Sequence, residues 1–380
     1  MNRHAALLLL SLLSLLGLGW TVRGPDGVPT AQTVDPAKLF SPGDGPWSGA
    51  KPATPAADLG KAAANALAWL EAEETLDARV AHAGLLEDQG VSLERVKRTL
   101  AYVAKVAAED AGKPAQRLED PKFWAEHFEF YAWRASAAGA SDDRIRLTRY
   151  LVYQVQGSIT RGAQYDTALY AVPEDEVGLT LEQAEQKKEN LLRFRFDRPA
   201  VLAGVYEEGG SASGRAFPLV YLSRADALQA QLQGTVEVRL ADGSSRLFNV
   251  DRPNGFPYEK GASLEKQPRY WYFRPVDGLY GYGPEPARKV KLVPGASLAG
   301  DVYNLGLGKL VALSWPGANG TVVRLAVLGD TGGAFQPNLG QLDYLAGSFP
   351  SKEAFLAATK DFPDRVNAGI LLLREPEAGP

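Results

Sequence analysis

The sequence predicts a mainly β protein with a helical region ahead of the strands, and three observations carry that prediction. From residue 199 onward, short apolar stretches alternate with turn signals. Apolar residues at spacings of three and four are confined to an earlier segment. Residues 25–57 follow neither period and are rich in Pro, Gly and Ala. At 380 residues, 45% hydrophobic and 23% charged, the chain can bury a real core and hold two or three domains.

The first element is "MNRHAALLLLSLLSLLGLGW", in which Arg3 precedes an apolar run from Ala5 to Trp20. That is the pattern of a secretory signal, so residues 1–24 are read as a signal peptide or N-terminal anchor of an exported protein of the periplasm or cell envelope. The run is shorter than the ~20 apolar residues of a spanning helix, which favours cleavage or at most a weak membrane tether. Residues 25–57 read as a linker.

Residues 58–198 read as the helical region. In "SLERVKRTLAYVAKVAAED", Leu93, Val96, Leu100, Val103 and Ala107 form a core-facing stripe with Ser92 as N-cap. Thr180 and Gln183 match a capping box. Trp124, Phe128, Tyr131 and Trp133 lie close together and suit core packing better than a sugar platform.

After Pro199 the stretches "AVLAGVY", "FPLVYL" and "TVEVRL" read as β. "TVEVRLADGSSRLFNV" is a hairpin with Asp242-Gly243 in its turn. "KLVALSWPGANGTVVRLAVLGD" is a second strand pair joined at "PGANG", and "AGILLLRE" supplies a late strand.

Composition excludes several chemistries. A net charge of −4 without a basic stripe argues against nucleic acid as a partner. Cysteine is absent, which removes disulfides, thiol catalysis and a lipid-modified cysteine. His4, His82 and His127 show no ligand spacing, so no metal site is expected, and no other cofactor.

The chemistry-bearing stretch is "GDTGGAFQPNLGQLDYLAG" at 329–347, with Asp330 ending a strong strand and Asp343 opening "DYLAG". Gly332 and Gly333 would let the backbone turn sharply and approach a ligand closely. Two carboxylates on one rim raise a pKa through like-charge repulsion and so yield a proton donor near neutral pH. The same residues also suit an exposed hairpin carrying surface acids.

Six further words occur in a fixed order: "AGVYEE" (203–208), "FPLVY" (217–221), "QGTVEVRL" (233–240), "NGFPY" (254–258), "RYWYFRP" (269–275) and "SLAGDVYNLGLG" (297–308), all ahead of "DTGG". With it they resemble the membrane-bound lytic transglycosylase A family over residues 199–375. The resemblance implies a double-psi β-barrel, with an inserted β-domain at 199–287, a C-terminal 3D-type domain at 288–375 and a substrate groove between them. It implies cleavage of the MurNAc-β-1,4-GlcNAc bond of peptidoglycan with 1,6-anhydro ends, with Asp343 as catalytic acid/base and Asp330 beside it. The candidate substrate-binding set is Tyr206, Glu207, Asn254, Tyr258, Phe273, Gly332, Gly333 and Tyr344, with Tyr272 as a further groove aromatic; Tyr206, Tyr258, Tyr272 and Phe273 equally suit the core, and Asn254-Gly255 equally suits a turn. Asp301 would support the barrel or the site. Glycan strands are the implied partner, and the helical region would either dock other cell-wall proteins or form a wall of the groove.

Phe335, Gln336 and Pro337 stand where the family has "IKG", which removes a basic residue near the cleft. Two other classes share part of the pattern. A non-catalytic wall-binding module would keep the barrel without turnover. An aspartic protease also carries "DTG", but a single copy would require a homodimer.

Overall fold

A computed structural model describes residues 34–48, 50–72, 77–283 and 288–375. The signal segment, the start of the 25–57 linker and His4 lie outside the described residues. No helix among the described residues is long and apolar enough to cross a membrane. The strands, in chain order, are β1 (Phe40–Gly43), β2 (Phe128–Trp133), β3 (Ile145–Gln156), β4 (Thr167–Tyr170), β5 (Pro218–Leu222), β6 (Thr235–Arg239), β7 (Ser245–Pro253), β8 (Trp271–Val276), β9 (Leu279–Tyr280), β10 (Lys291–Leu292), β11 (Ser297–Ala299), β12 (Leu310–Gly317), β13 (Gly320–Asp330), β14 (Gln341–Phe349) and β15 (Arg365–Leu373).

The chain forms two compact units. The first takes residues up to Tyr150, 280–346 and the chain from Ala358; the second takes 151–279 and 347–357. The first is built on a closed six-stranded barrel, order β15-β12-β13-β11-β14-β3, in which β3 returns to β15 through Val366↔Ile145 and Arg365↔Arg146. Closure leaves no free edge within the ring. Both faces of its central strands are covered, so β12 reads as a continuous apolar run, Leu310 to Leu313, rather than an alternation. The hairpin β12–β13 turns at 317–320 as its sequence predicts.

Helices flank this unit. Leu93–Asp110 starts where Ser92 Oγ accepts from the Arg95 amide at 3.2 Å, and it buries Val96, Leu100 and Val103 of the expected stripe, with Val106 added. Trp124, Phe128, Tyr131 and Trp133 are buried core residues, as expected. His82 and His127 hold backbone groups: His82 Nδ1 accepts from the Gly84 amide, and His127 Nδ1 lies 3.1 Å from Phe123 O. Lys309 is also buried, its ammonium donating to His82 O at 3.2 Å, and burial pushes its pKa down to about 7.

Three sequence expectations are corrected. Residues 34–57 are not a loose linker: they form the helix Pro36–Leu39 and β1, bury Leu39, Phe40 and Trp47, and pin Thr54 Oγ1 to Leu325 O at 2.8 Å. Proline and glycine there punctuate packed structure. Region 58–198 is not helical throughout, since β2, β3 and β4 lie inside it; "IRLTRYLVYQVQ" is rich in β-branched and aromatic residues and pairs accordingly. The stretch "AVLAGVY" begins inside the helix Arg198–Leu202, with Asp197 Oδ1 accepting from the Ala200 amide as N-cap and Pro199 in the first turn.

The second unit is a sheet formed by the later half of β3, parallel to β6 through Tyr153↔Val236, then β7 and β8. The β6–β7 hairpin turns at Asp242-Gly243, where Gly243 has φ 83°. Strands β4 and β5 form a separate pair. One apolar core includes Val236, Val238, Phe248 and Phe273; the other is an aromatic cluster of Tyr170, Tyr206, Tyr270 and Tyr272. Buried Glu176 binds Arg193 at 2.6 Å and Arg252 at 3.0 Å. The capping box at Thr180 and Gln183 is present.

Candidate active site

The middle strand of the acid site is β11, one of the shortest in the barrel. Its Ala299 pairs with Asp330 of parallel β13 on one side, across a bulge, and with Asp343 of antiparallel β14 on the other. Two inter-strand spacings put the two aspartate Cα atoms about 10 Å apart, near enough for side chains from one rim to converge. Strand β3 runs beside β14, with Thr148 Oγ1 donating to Leu342 O at 3.3 Å, and delivers Tyr150 to the same place.

Asp330 is doubly held. Its Oδ1 accepts from the Thr331 amide at 2.9 Å, and its Oδ2 accepts from the Tyr150 hydroxyl at 3.2 Å. Asp343 is different, because its buried Oδ1 has no hydrogen-bond partner within the protein. Thr331 Oγ1 is likewise buried and unpartnered. Orphaned buried polar atoms are uncommon, and two within one site are what a polar ligand would satisfy.

Burial pushes Asp330 up to about 7, against the pull of the Thr331 amide, the Tyr150 hydroxyl and Lys289; the Asp343 charge adds the smallest push. Burial also pushes Asp343 up to about 6, opposed by the Thr148 hydroxyl, Arg149 and Arg146. Desolvation, rather than the like-charge repulsion expected from sequence, is therefore the main cause in both. Both groups titrate close to neutrality. Asp330 keeps its proton to the higher pH, but both its oxygens are occupied, so the carboxyl with a free oxygen is Asp343.

The segment between the two acids is fixed from below. Asp301 is buried, caps the helix Val302–Leu305 by accepting from the Asn304 amide at 3.2 Å, and accepts from the Asn338 amide at 3.0 Å. It braces the site rather than joining it. Trp133 Nε1 donates to Leu339 O at 3.0 Å, and Phe335 is buried where the family pattern has an aliphatic residue. Gly332 is extended, with φ −165°, and Gly333 is not among the glycines of positive φ, so neither uses glycine's special freedom as expected. Tyr344 alternates away from Asp343: it is buried, its hydroxyl donating to Gly295 O at 2.6 Å and accepting from Arg324.

A family model described as the MltA specific insert domain matches residues 146–267. The match spans about a third of the chain and marks those residues as an insert of MltA type. No curated protein is similar enough to count as a match. Among solved structures, a membrane-bound lytic murein transglycosylase from Agrobacterium tumefaciens is 17% identical, with 86% of this chain and 94% of that one covered at a TM-score of 0.55. MltA from Neisseria gonorrhoeae is 15% identical over 90% and 93% at 0.54. E. coli MltA with bound chitohexaose is 17% identical over 91% and 96% at 0.53. The fold is theirs.

In the second unit, the expected groove residues are mostly interior. Tyr206 is buried, its hydroxyl 2.6 Å from that of buried Tyr272; Phe273 is fully buried in the apolar core. Asn254 staples a loop: its Nδ2 donates to Phe196 O and Pro268 O, and its Oδ1 accepts from the Tyr270 amide. Only Tyr258, 52% exposed with Arg269 above its ring, and Glu207 remain accessible. Glu207 accepts from the Tyr170 hydroxyl and lines a polar cavity of about 410 Å³ with Arg161, Asp166 and Glu208.

The MltA match starts at Arg146, well before the 199 boundary expected from sequence, and so includes Thr148 and Tyr150. Sequence reasoning missed these two and Thr331. For the β3 pair a signal was available: a run of β-formers in a segment read as helical.

Proposed function

We propose that this protein is a peptidoglycan lytic transglycosylase that cleaves the MurNAc-β-1,4-GlcNAc bond and leaves 1,6-anhydro ends. The observation that carries the reading is Asp343: a rim carboxyl raised to about 6, with one buried oxygen free, beside a second desolvated acid. A group of that pKa is both a donor and an acceptor near neutral pH. The chitohexaose bound by E. coli MltA supports glycan strands as the ligand class.

In this mechanism Asp343 gives its proton to the glycosidic oxygen as the C1–O bond breaks. The resulting carboxylate takes the proton of the muramic C6 hydroxyl, whose oxygen bonds to C1. The proton count closes without water, and one acid/base serves both halves of the step. The intramolecular attack draws on proximity that water lacks. We further propose that the six-stranded barrel has double-psi topology, that the protein works in the cell envelope after export, and that Tyr258 and Glu207 contact glycan. Purified peptidoglycan incubated with the protein should release anhydro-ended muropeptides by mass spectrometry. Reducing ends would make it a hydrolase, and binding without release would make it a wall-binding module.

A further inference from the structure

Tyr150 is a side chain of the acid site with no role in the step just described. It stands on β3, beyond Asp343's strand in the barrel order, yet its hydroxyl donates to Asp330, two strands further round. Its ring therefore bridges the neighbourhoods of both acids. The charges of Asp330 and Asp343 both act on its hydroxyl and, with burial as the largest cause, hold its pKa well above the usual tyrosine value. The group is a permanent donor across the working pH range.

We propose that Tyr150 is a positioning residue: its hydroxyl fixes the Asp330 carboxyl in place beside Asp343 and thereby tunes the environment in which Asp343 exchanges its proton. The Thr331 amide alone holds one oxygen of Asp330 and leaves the carboxyl free to swing about it. A second donor on the other oxygen removes that freedom. The charges of Lys289 and Asp343 also act on Asp330, while Arg146, Arg149 and Thr148 act on Asp343. A hydrogen bond to the ionised form stabilises that form, so losing it moves Asp330 toward the neutral acid.

Tyr150→Phe keeps the ring and deletes the donor. Carbon-13 titration of the aspartate carboxyls in the resting protein should show the Asp330 midpoint rising by about one pH unit. The proposal rests on the lytic reading for its kinetic arm alone, where kcat should fall ~10-fold with KM nearly unchanged and the alkaline limb should shift. In an Asp330→Asn background the same substitution should change neither rate nor profile, because the two act as a unit. An unmoved Asp330 midpoint in Tyr150→Phe would overturn the proposal. So would an equal rate loss in the Asp330→Asn background, which would reduce Tyr150 to packing. A wild type that releases no muropeptides would sink the function proposed above, while the titration would still decide the role of Tyr150.

Discussion

The barrel and the insert each bury acidic groups, and they treat them in opposite ways. In the insert, Glu176 is enclosed with Arg193 and Arg252, and every charge meets its opposite. At the barrel rim, Asp330 and Asp343 are desolvated, with hydroxyls and an amide bonded to them, and the charges of Lys289, Arg146 and Arg149 offset burial only in part. Pairing satisfies a buried carboxylate and makes it inert, whereas burial that cations offset only in part keeps a proton available near neutral pH. Lys309 is the cationic counterpart of the second case, buried against one carbonyl. The difference separates a structural acid from one suited to the proton transfer proposed above.

The comparison can be broken most decisively at Asp343. Asp343→Asn preserves size but can neither give nor take the proton, so muropeptide release should fall ~10²–10⁴-fold with the fold intact by circular dichroism. A rate close to wild type would put Asp343 in the same class as Glu176. Glu176→Gln tests the other side: it leaves buried Arg193 with only Glu185 at 3.4 Å and partly buried Arg252 with only Asp251 at 4.0 Å, and should cost ~3 kcal/mol in denaturant unfolding. A loss below ~1 kcal/mol would mean the triad is more hydrated than its burial indicates.

Lys309 sharpens the comparison through pH. Its folded pKa, about 7, lies below the ordinary 10.5. Between those values the unfolded chain binds the extra proton, so this group makes stability rise with pH across that window and costs stability below it. Lys309→Met should stabilise the protein at pH 7 by ~1–3 kcal/mol and flatten that rise, read by unfolding at pH 7 and 10. The smallest expected shift in pH optimum is at Asp330. Since burial rather than repulsion lifts Asp343, Asp330→Asn should move the pH optimum toward acid by less than ~1 unit. The same variant loses the penalty of a carboxyl raised from 3.8 to about 7, a penalty that grows as pH climbs through that range, and should be the more stable protein at pH 8.

Much of this was legible in the chain. Alternation and turn chemistry locate β6–β7, β12–β13 and β15, Ser92 and Thr180 announce their helices, and the order of words around Asp330 and Asp343 points to the family. The acid pair was visible because both aspartates lie within one short stretch of sequence. Tyr150 was not, since what brings it to Asp330 is barrel closure by β3, a pairing that no local pattern encodes. Tyr206, Asn254 and Phe273 misled for a related reason: aromatic and amide residues in family words serve packing as readily as binding, and burial decides which. The cause of the raised pKa values was likewise hidden, because desolvation depends on neighbours far away in the chain.

Strand β3 belongs to both units: Ile145–Tyr150 closes the barrel and the residues that follow start the insert sheet. The homologous segment begins at Arg146, inside the barrel portion. What inheritance marks as one piece is thus not what packing marks as one piece. Cutting at the homology boundary would take the ring's sixth strand, with Thr148 and Tyr150, away from the acids they serve. Exchange of inserts between relatives should therefore succeed only at a junction after Tyr150, and a recombinant joined at 146 should lose the barrel along with the graft.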